Sequence, residues 1–386
     1  MGARRIGLVL IAALGGGPAA AQPPLSLTSV VESGWTSNAT ESAAGGADFY
    51  SSQSHELALS GQSGGLLLRG SLALSQTRFA TISFEDDTEV TGAVEGQLAL
   101  GADAVLRLGY AMTQSWTGDD LLFAGLVVPV RSGGTEHEYL AEFTLRGTDQ
   151  QVNVAVTADW TLPGDSVLDG LALPPLRLTP RVGSVTGRVG WERVVATNVA
   201  VLSGMEAWFT LIPEADQATY LRAPADGGRI SAGLRVADDN WSAEGWGGID
   251  LVWPKGMSAL TRALPYLSLA AHFVPMIGVT LALTGETGVE LADPVDGVAG
   301  RTAGMELGST WTLTPAVALS AQLSARQEWG LFDDSLVRSV RMAMLGASFA
   351  LSERITYRAV LSWSRHADPA ETYDKAGFAL SLVGSL

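Results

Sequence analysis

Residues 151–160 read Gln-Val-Asn-Val-Ala-Val-Thr-Ala-Asp-Trp. Val152, Val154, Val156, Ala158 and Trp160 share one parity; Gln151, Asn153, Ala155, Thr157 and Asp159 share the other. Period-two alternation of this kind is that of an extended strand with one apolar and one wetted face, since successive side chains point to opposite sides. The pattern recurs in both directions along the chain. From residue 89 to 100, Val90, Val94, Leu98 and Leu100 alternate with Glu89, Thr91, Glu95 and Gln97. From residue 317 onward, apolar residues alternate with Ser320, Gln322, Ser324 and Arg326, and Ile355, Tyr357, Ala359, Leu361 and Trp363 alternate with Thr356, Arg358, Ser362 and Ser364. About eighteen such segments fit between Leu27 and Leu386, each roughly ten to fourteen residues long and bounded by turn formers. The alternation is blurred at residues 50–61, 229–237 and 336–351.

The connections between segments alternate in length. Short ones fall at residues 61–65, 101–103, 147–150, 192–197, 237–240, 274–277, 312–314 and 352–354. Long ones fall at 38–52, 117–134, 162–179, 211–228, 253–264 and 288–300. A soluble sandwich has no reason to keep such alternation, whereas an antiparallel meander across a bilayer does, with short turns on one side and long loops on the other.

Composition agrees. The chain is 47% hydrophobic but only 17% charged, with mean hydropathy +0.21. After residue 21 it contains no apolar run of about 18 residues, which a spanning helix would need. The hydrophobic content excludes disorder, and the absence of cysteine excludes a disulfide framework and Cys-based zinc or redox sites. A net charge of −16 argues against nucleic acid as a partner. Residues 1–21 read as a secretory leader, with Arg4 and Arg5, an apolar stretch from Ile6 to Leu14, and Ala19-Ala20-Ala21 as the cleavage site. Residues 22–386 are expected to form one barrel domain.

Tryptophan supplies a separate test, because indole rings settle at membrane–water interfaces. Trp35, Trp116, Trp160, Trp208, Trp253, Trp329 and Trp363 fall where a segment meets a long connection; Trp191, Trp241 and Trp311 fall beside short turns. Trp246 falls mid-segment, and Trp208 carries the interior parity. Trp35, Trp116, Trp160, Trp191, Trp253, Trp311, Trp329 and Trp363 are assigned to aromatic girdles. Because lipid cannot hydrogen-bond a free strand edge, the sheet must close on itself. The predicted fold is therefore all-β: a closed antiparallel transmembrane barrel of about 18 strands, or 16, with short periplasmic turns and long extracellular loops. A ring of that size leaves an aqueous lumen.

The stretch Glu32-Ser-Gly-Trp-Thr-Ser-Asn38 resembles the aromatic-x-Ser-Asn opening of porin-like Gram-negative outer-membrane barrels, including those of exopolysaccharide gene clusters. The C-terminal segment resembles the insertion signal of such proteins, with Phe378, Leu380, Leu382 and Leu386 alternating outward; it ends in Leu where most end in Phe or Trp. The resemblance implies residence in the outer membrane, assembly by the barrel-assembly machinery, contact with lipopolysaccharide and, as an option, a homo-oligomer.

Interior parity places Glu89, Glu95, Glu138, Glu142 and Asp159 on earlier strands and Arg326, Arg341 and Arg358 on later ones, with Arg107 and Arg188 also assigned to the pore lining. A carboxylate wall facing an arginine wall is expected across the lumen, set against local pairing of each charge with its cross-strand neighbour. The apolar loop at 117–134, with Leu121-Leu-Phe-Ala-Gly-Leu-Val-Val-Pro-Val130, is expected to fold inward, the alternatives being a strand extension or a contact between protomers. Asp86-Asp87, Asp119-Asp120 and Asp333-Asp334 are candidate Ca²⁺ or Mg²⁺ positions on an otherwise solvated acidic rim; no other cofactor is expected. The four histidines, His55, His137, His272 and His366, lack ligand spacing. Asp368 near His366 is the only catalytic suggestion, so no enzyme is expected. The expected function is passive diffusion of small hydrophilic solutes. Secretion of polysaccharide or surface lipoprotein, or a structural or adhesive barrel, are the alternatives.

Overall fold

A computed structural model describes residues 25–42, 45–123, 126–168, 174–255, 261–291, 299–332, 334–369 and 371–386; the leader at 1–21 lies outside them. The strands are β1 (Leu25–Thr36), β2 (Asp48–Ser63), β3 (Leu66–Phe79), β4 (Asp87–Ala99), β5 (Ala104–Phe123), β6 (Leu126–Arg146), β7 (Gln150–Leu168), β8 (Val182–Ala196) and β9 (Val199–Leu211). They continue as β10 (Ala225–Asp238), β11 (Trp241–Pro254), β12 (Arg262–Met276), β13 (Val279–Leu291), β14 (Ala299–Thr314), β15 (Val317–Gly330), β16 (Leu336–Ser352), β17 (Ile355–Ala367) and β18 (Thr372–Ser385). One short helix, α1 (Glu214–Tyr220), joins β9 to β10.

Each strand pairs antiparallel with its sequence neighbours, and β1 pairs with β18, so 18 strands form one closed sheet. Closure leaves no row of unpaired edge amides, each of which would cost several kcal/mol in hydrocarbon. Cross-strand partners share a face, and the outward face is apolar: Val31 opposes Leu382, Leu57 opposes Leu72, Leu106 opposes Phe143, and Leu345 opposes Leu361. Phe378, Leu380 and Leu382 point outward. The tight turns sit at one end. Gly64 and Gly278 there take φ +57° and +81°, a region glycine enters without a Cβ penalty.

The blurred segments are complete strands: β2, β10 and β16. Their parity was hard to read for physical reasons. β2 carries Gln53 and His55 on the outer face, in register with Val31 and Leu74, and β16 carries Val340, Met342 and Met344 on the inner one. The opening motif has a local purpose at the closing seam. Ser37 continues the β1–β18 pairing by giving its amide to Ala376 O and accepting the Ala376 amide on Oγ, both at 2.8 Å. Asn38 is buried and donates from Nδ2 to Ser42 O at 2.7 Å, shaping the first loop.

The stretch at 117–134 does not fold inward. β5 and β6 stay in register up to Phe123↔Leu126, so it is a strand extension rising from the ring. Its apolar run is hairpin pairing continued beyond the ring. The β3–β4 connection packs against it: Gly118 donates its amide to Asp87 Oδ1, and a Cβ at Gly118 would lie 1.6 Å from the Phe84 carbonyl oxygen. Gly118→Ala should therefore loosen this connection by about 1–3 kcal/mol. The check is faster proteolytic cleavage near residues 83–86 while the ring keeps its heat-modifiable gel mobility.

Candidate functional site

The inner wall is built from the non-lipid parity of each strand, and its charges are gathered into short ion-paired ladders. Arg107 of β5 places Nη2 2.7 Å from Glu95 Oε2 on β4 and Nη1 3.4 Å from Glu142 Oε2 on β6. Arg69 of β3 reaches Glu95 at 3.8 Å. On the other side of the ring, Arg235 of β10 bridges Glu192 of β8 (2.7 Å) and Glu244 of β11 (2.6 Å). Arg326 of β15 pairs with Glu290 and with Glu328 Oε1 at 3.0 Å. These half-exposed pairs contribute about 0–1 kcal/mol each, so their effect is to hold charges in place more than to stabilise the fold.

Nine of the ten residues assigned to the pore have inward register: Glu89, Glu95, Arg107, Glu138, Glu142, Asp159, Arg188, Arg326 and Arg358. Asp159 opposes Glu138 and accepts from Ser184 Oγ at 3.3 Å. Arg188 opposes Glu206, and Arg358 faces the lumen between Ser348 and Ser381. Arg341 is the correction. It opposes Ala325 and Arg365 on the outer face, with Leu345 and Phe349. Both parities of β16 are apolar, so its sides could not be told from the alternation.

The two facing walls of opposite charge are also replaced. Arg69 and Arg107 stand among the acids of β4–β6, and Arg326 is paired to acids on β13 and its own strand. Local cross-strand pairing is what the ring contains. Sequence reading missed Arg69, Arg229, Arg235 and Arg262, which lie on strands where glycines or a proline interrupt the alternation.

Register puts Trp35, Trp116, Trp160, Trp191, Trp253, Trp311, Trp329 and Trp363 on the outer face, with Trp116 and Trp160 in the middle of the long strands β5 and β7, and Trp208 and Trp246 on the inner face. Gly183 makes room for the Trp160 ring, which a Cβ there would meet at 2.1 Å.

The long-loop mouth is narrowed by the β15–β16 connection. Leu331 is buried against Trp208, Ala225, Val252 and Ala299, with Phe332, Leu264 and Val289 around it. Arg262 anchors this segment from β12: its Nη2 donates to Phe332 O, its Nη1 lies 3.6 Å from Asp334 Oδ2, and its guanidinium sits 5.9 Å from the Phe332 ring. Beside the mouth, α1 is clasped to the β7–β8 connection. Buried Asp216 accepts from Arg177 Nη2 (2.5 Å), and from Arg181 N (2.8 Å) and Nε (3.1 Å). Arg181's side-chain hydrogen bond leads in holding the Asp216 carboxyl down at about 2, against an ordinary 3.8.

The acidic pairs have backbone duties. Asp86 Oδ1 accepts the Phe79 amide at 2.8 Å, and Asp87 takes that of Gly118. Asp333 and the side chains of Asp119 and Asp120 lie outside what is described. No group of three His, Asp or Glu among the described residues is disposed to hold a metal ion. His366 stacks on Tyr373 at 4.8 Å and contacts Ser364 Oγ at 3.1 Å, while Asp368 Oδ1 caps the Glu371 amide.

No family model matches the chain and no curated protein resembles it closely. Solved structures do resemble it. The copper transporter OprC superposes with TM-score 0.54 at 9% identity, covering 94% of this chain and 80% of OprC. A variant of the ferric enterobactin receptor PfeA from Pseudomonas aeruginosa superposes with TM-score 0.53 at 8% identity, covering 94% and 80%. CdiB from Acinetobacter baumannii gives TM-score 0.47 at 12% identity, and the chain, 94% covered, spans 60% of CdiB's length. The likenesses to OprC and PfeA carry the fold alone, a closed antiparallel β-barrel.

A carboxyl depressed by folding stabilises above its unfolded pKa and stops doing so as pH falls through its folded value. The Asp216 clasp should therefore be at full strength above pH 3.8 and be lost near pH 2. Pepsin should cut residues 214–222 readily only at the acid end of that window, and Asp216→Asn should abolish the difference.

Proposed function

We propose that the chain is an outer-membrane channel for passive diffusion of small hydrophilic solutes, with a preference for cations. The observation that carries this reading is the division of the closed ring: apolar side chains outside, and an inner wall of charged and hydroxyl side chains inside. Glu32, Glu56, Glu89, Glu138, Glu206, Glu286 and Glu306 face inward in addition to the acids bound in ladders. Acids thus exceed bases along the lumen, and a negative wall concentrates cations.

In this reading the short turns face the periplasm and the outward tryptophans mark the two interfaces. Arg341 and Arg365, opposed across β16–β17 one step beyond Trp363, then meet lipopolysaccharide phosphates that offset their mutual repulsion.

Planar-bilayer recording of the refolded mature chain tests the proposal. Stepwise conductance with cation selectivity is expected; a heat-modifiable but non-conducting ring would overturn it. Arg235→Gln should raise cation selectivity, because Glu192 and Glu244 lose their counter-charge. Arg262→Ala should release the β15–β16 segment and increase unit conductance by about 1.5- to 2-fold; an unchanged step size would show that the segment does not limit flow.

A further inference from the structure

The ladder between β12 and β13 begins at Leu267↔Thr287, although β12 extends to Arg262 and β13 to Leu291. Over that height both strands remain paired on their other sides, β12 with β11 up to Val252↔Arg262 and β13 with β14 up to Leu291↔Ala299. A strip of wall between residues 262–266 and 288–291 therefore lacks a backbone ladder. Pro265 lies within it and has no N–H to give.

A side chain fills the gap. The Val289 amide donates to Asp250 Oδ2 at 3.0 Å, a carboxylate that comes from β11, two strands away. Asp250 is fully buried and is gripped by Arg229, Nε to Oδ1 at 2.6 Å and Nη2 to Oδ2 at 3.0 Å. The Arg229 guanidinium in turn covers the Tyr266 ring at 3.6 Å. A Cβ at position 288 would lie 2.8 Å from Arg229 Nη2 and 3.1 Å from Asp250 Oδ2, so glycine there is what lets the pair reach across.

Elsewhere, separating two strands in lipid means giving up a run of backbone hydrogen bonds, each costing several kcal/mol. Here, among the described residues, the bond that crosses the strip is that of the Val289 amide to the Asp250 carboxylate, with Arg229 also 4.0 Å from Glu286 of β13. The strip begins just on the membrane side of an outward tryptophan: Ala263 opposes Leu251, two residues short of Trp253. Behind it lies an apolar nucleus that includes Trp208, Val252, Leu264 and Leu331. A polar solute leaving sideways would enter hydrocarbon, whereas an acyl chain that displaced the Asp250–Arg229 pair would meet the apolar side chains behind it.

We propose that this strip is a lateral portal by which an acyl chain passes between the bilayer and the barrel mouth, closed by the Asp250–Val289 bond. It rests on the membrane placement proposed above and is independent of axial conductance. The chain has no cysteine, so single labelling sites are clean. Bimane is attached at Leu264→Cys, with Leu267→Cys as a lipid-facing control and Ser268→Cys as an inner-wall control. Each protein is reconstituted in phosphatidylcholine vesicles with plain or brominated acyl chains. Quenching at position 264 should exceed that at 268, rise about two-fold with Asp250→Asn, and fall to the level at 268 with Pro265→Val, which restores an N–H donor to the strip. Quenching at 264 equal to that at 268 in all three backgrounds overturns the portal. Absence of quenching at 267 overturns the membrane placement itself. Heat-modifiable mobility verifies that each variant is folded, and Pro265→Val decides the matter if Asp250→Asn does not fold.

Discussion

Hydrocarbon offers a peptide group no hydrogen-bond partner, and the rest of this molecule follows from that constraint. Strands can cross only if every amide is met by a neighbour, and a sheet satisfies its two edges only by joining them. The β1–β18 pairing does so, and the Ser37 side chain extends the seam beyond the last paired residue. Once closed, the ring divides its side chains between two solvents. The period-two alternation is the chemical record of that division.

Inside, the same geometry governs charge. Residues opposed across neighbouring strands lie close enough to interact, so an arginine on one strand is met by carboxylates on the strands beside it before it can act across the lumen. Arg107 takes two such partners, and Arg235 takes Glu244 beside it and Glu192 two strands away. The field in the pore is thus patterned on the scale of adjacent strands, with an acidic surplus over it.

At the long-loop mouth the construction changes character. Leu331 and the residues around it form a small apolar core of the kind soluble proteins have, held by Arg262. Next to it the β12–β13 wall is sealed by a side chain where other parts of the wall use backbone. Both departures involve residues at which regular strand chemistry fails: Pro265 cannot donate, and Gly288 has no side chain to exclude Arg229 and Asp250.

Strand number, the alternation of short and long connections, the apolar exterior and the outward parity of nearly all the tryptophans could be read from order alone, because each depends on which residue follows which. Arg341 could not be placed, since both faces of β16 are apolar and only its pairing with Arg365 and Ala325 tells outside from inside. The stretch at 117–134 has the composition of an inserted loop, but register with its partner makes it a hairpin. Which loop enters the mouth, which acids each arginine meets and where the ladder opens depend on residues tens of positions apart in the chain, such as Arg262 with Phe332 or Asp250 with Val289. Only closure of the ring brings those groups together, because shear and bulges set the register and a one-residue slip would exchange the two faces.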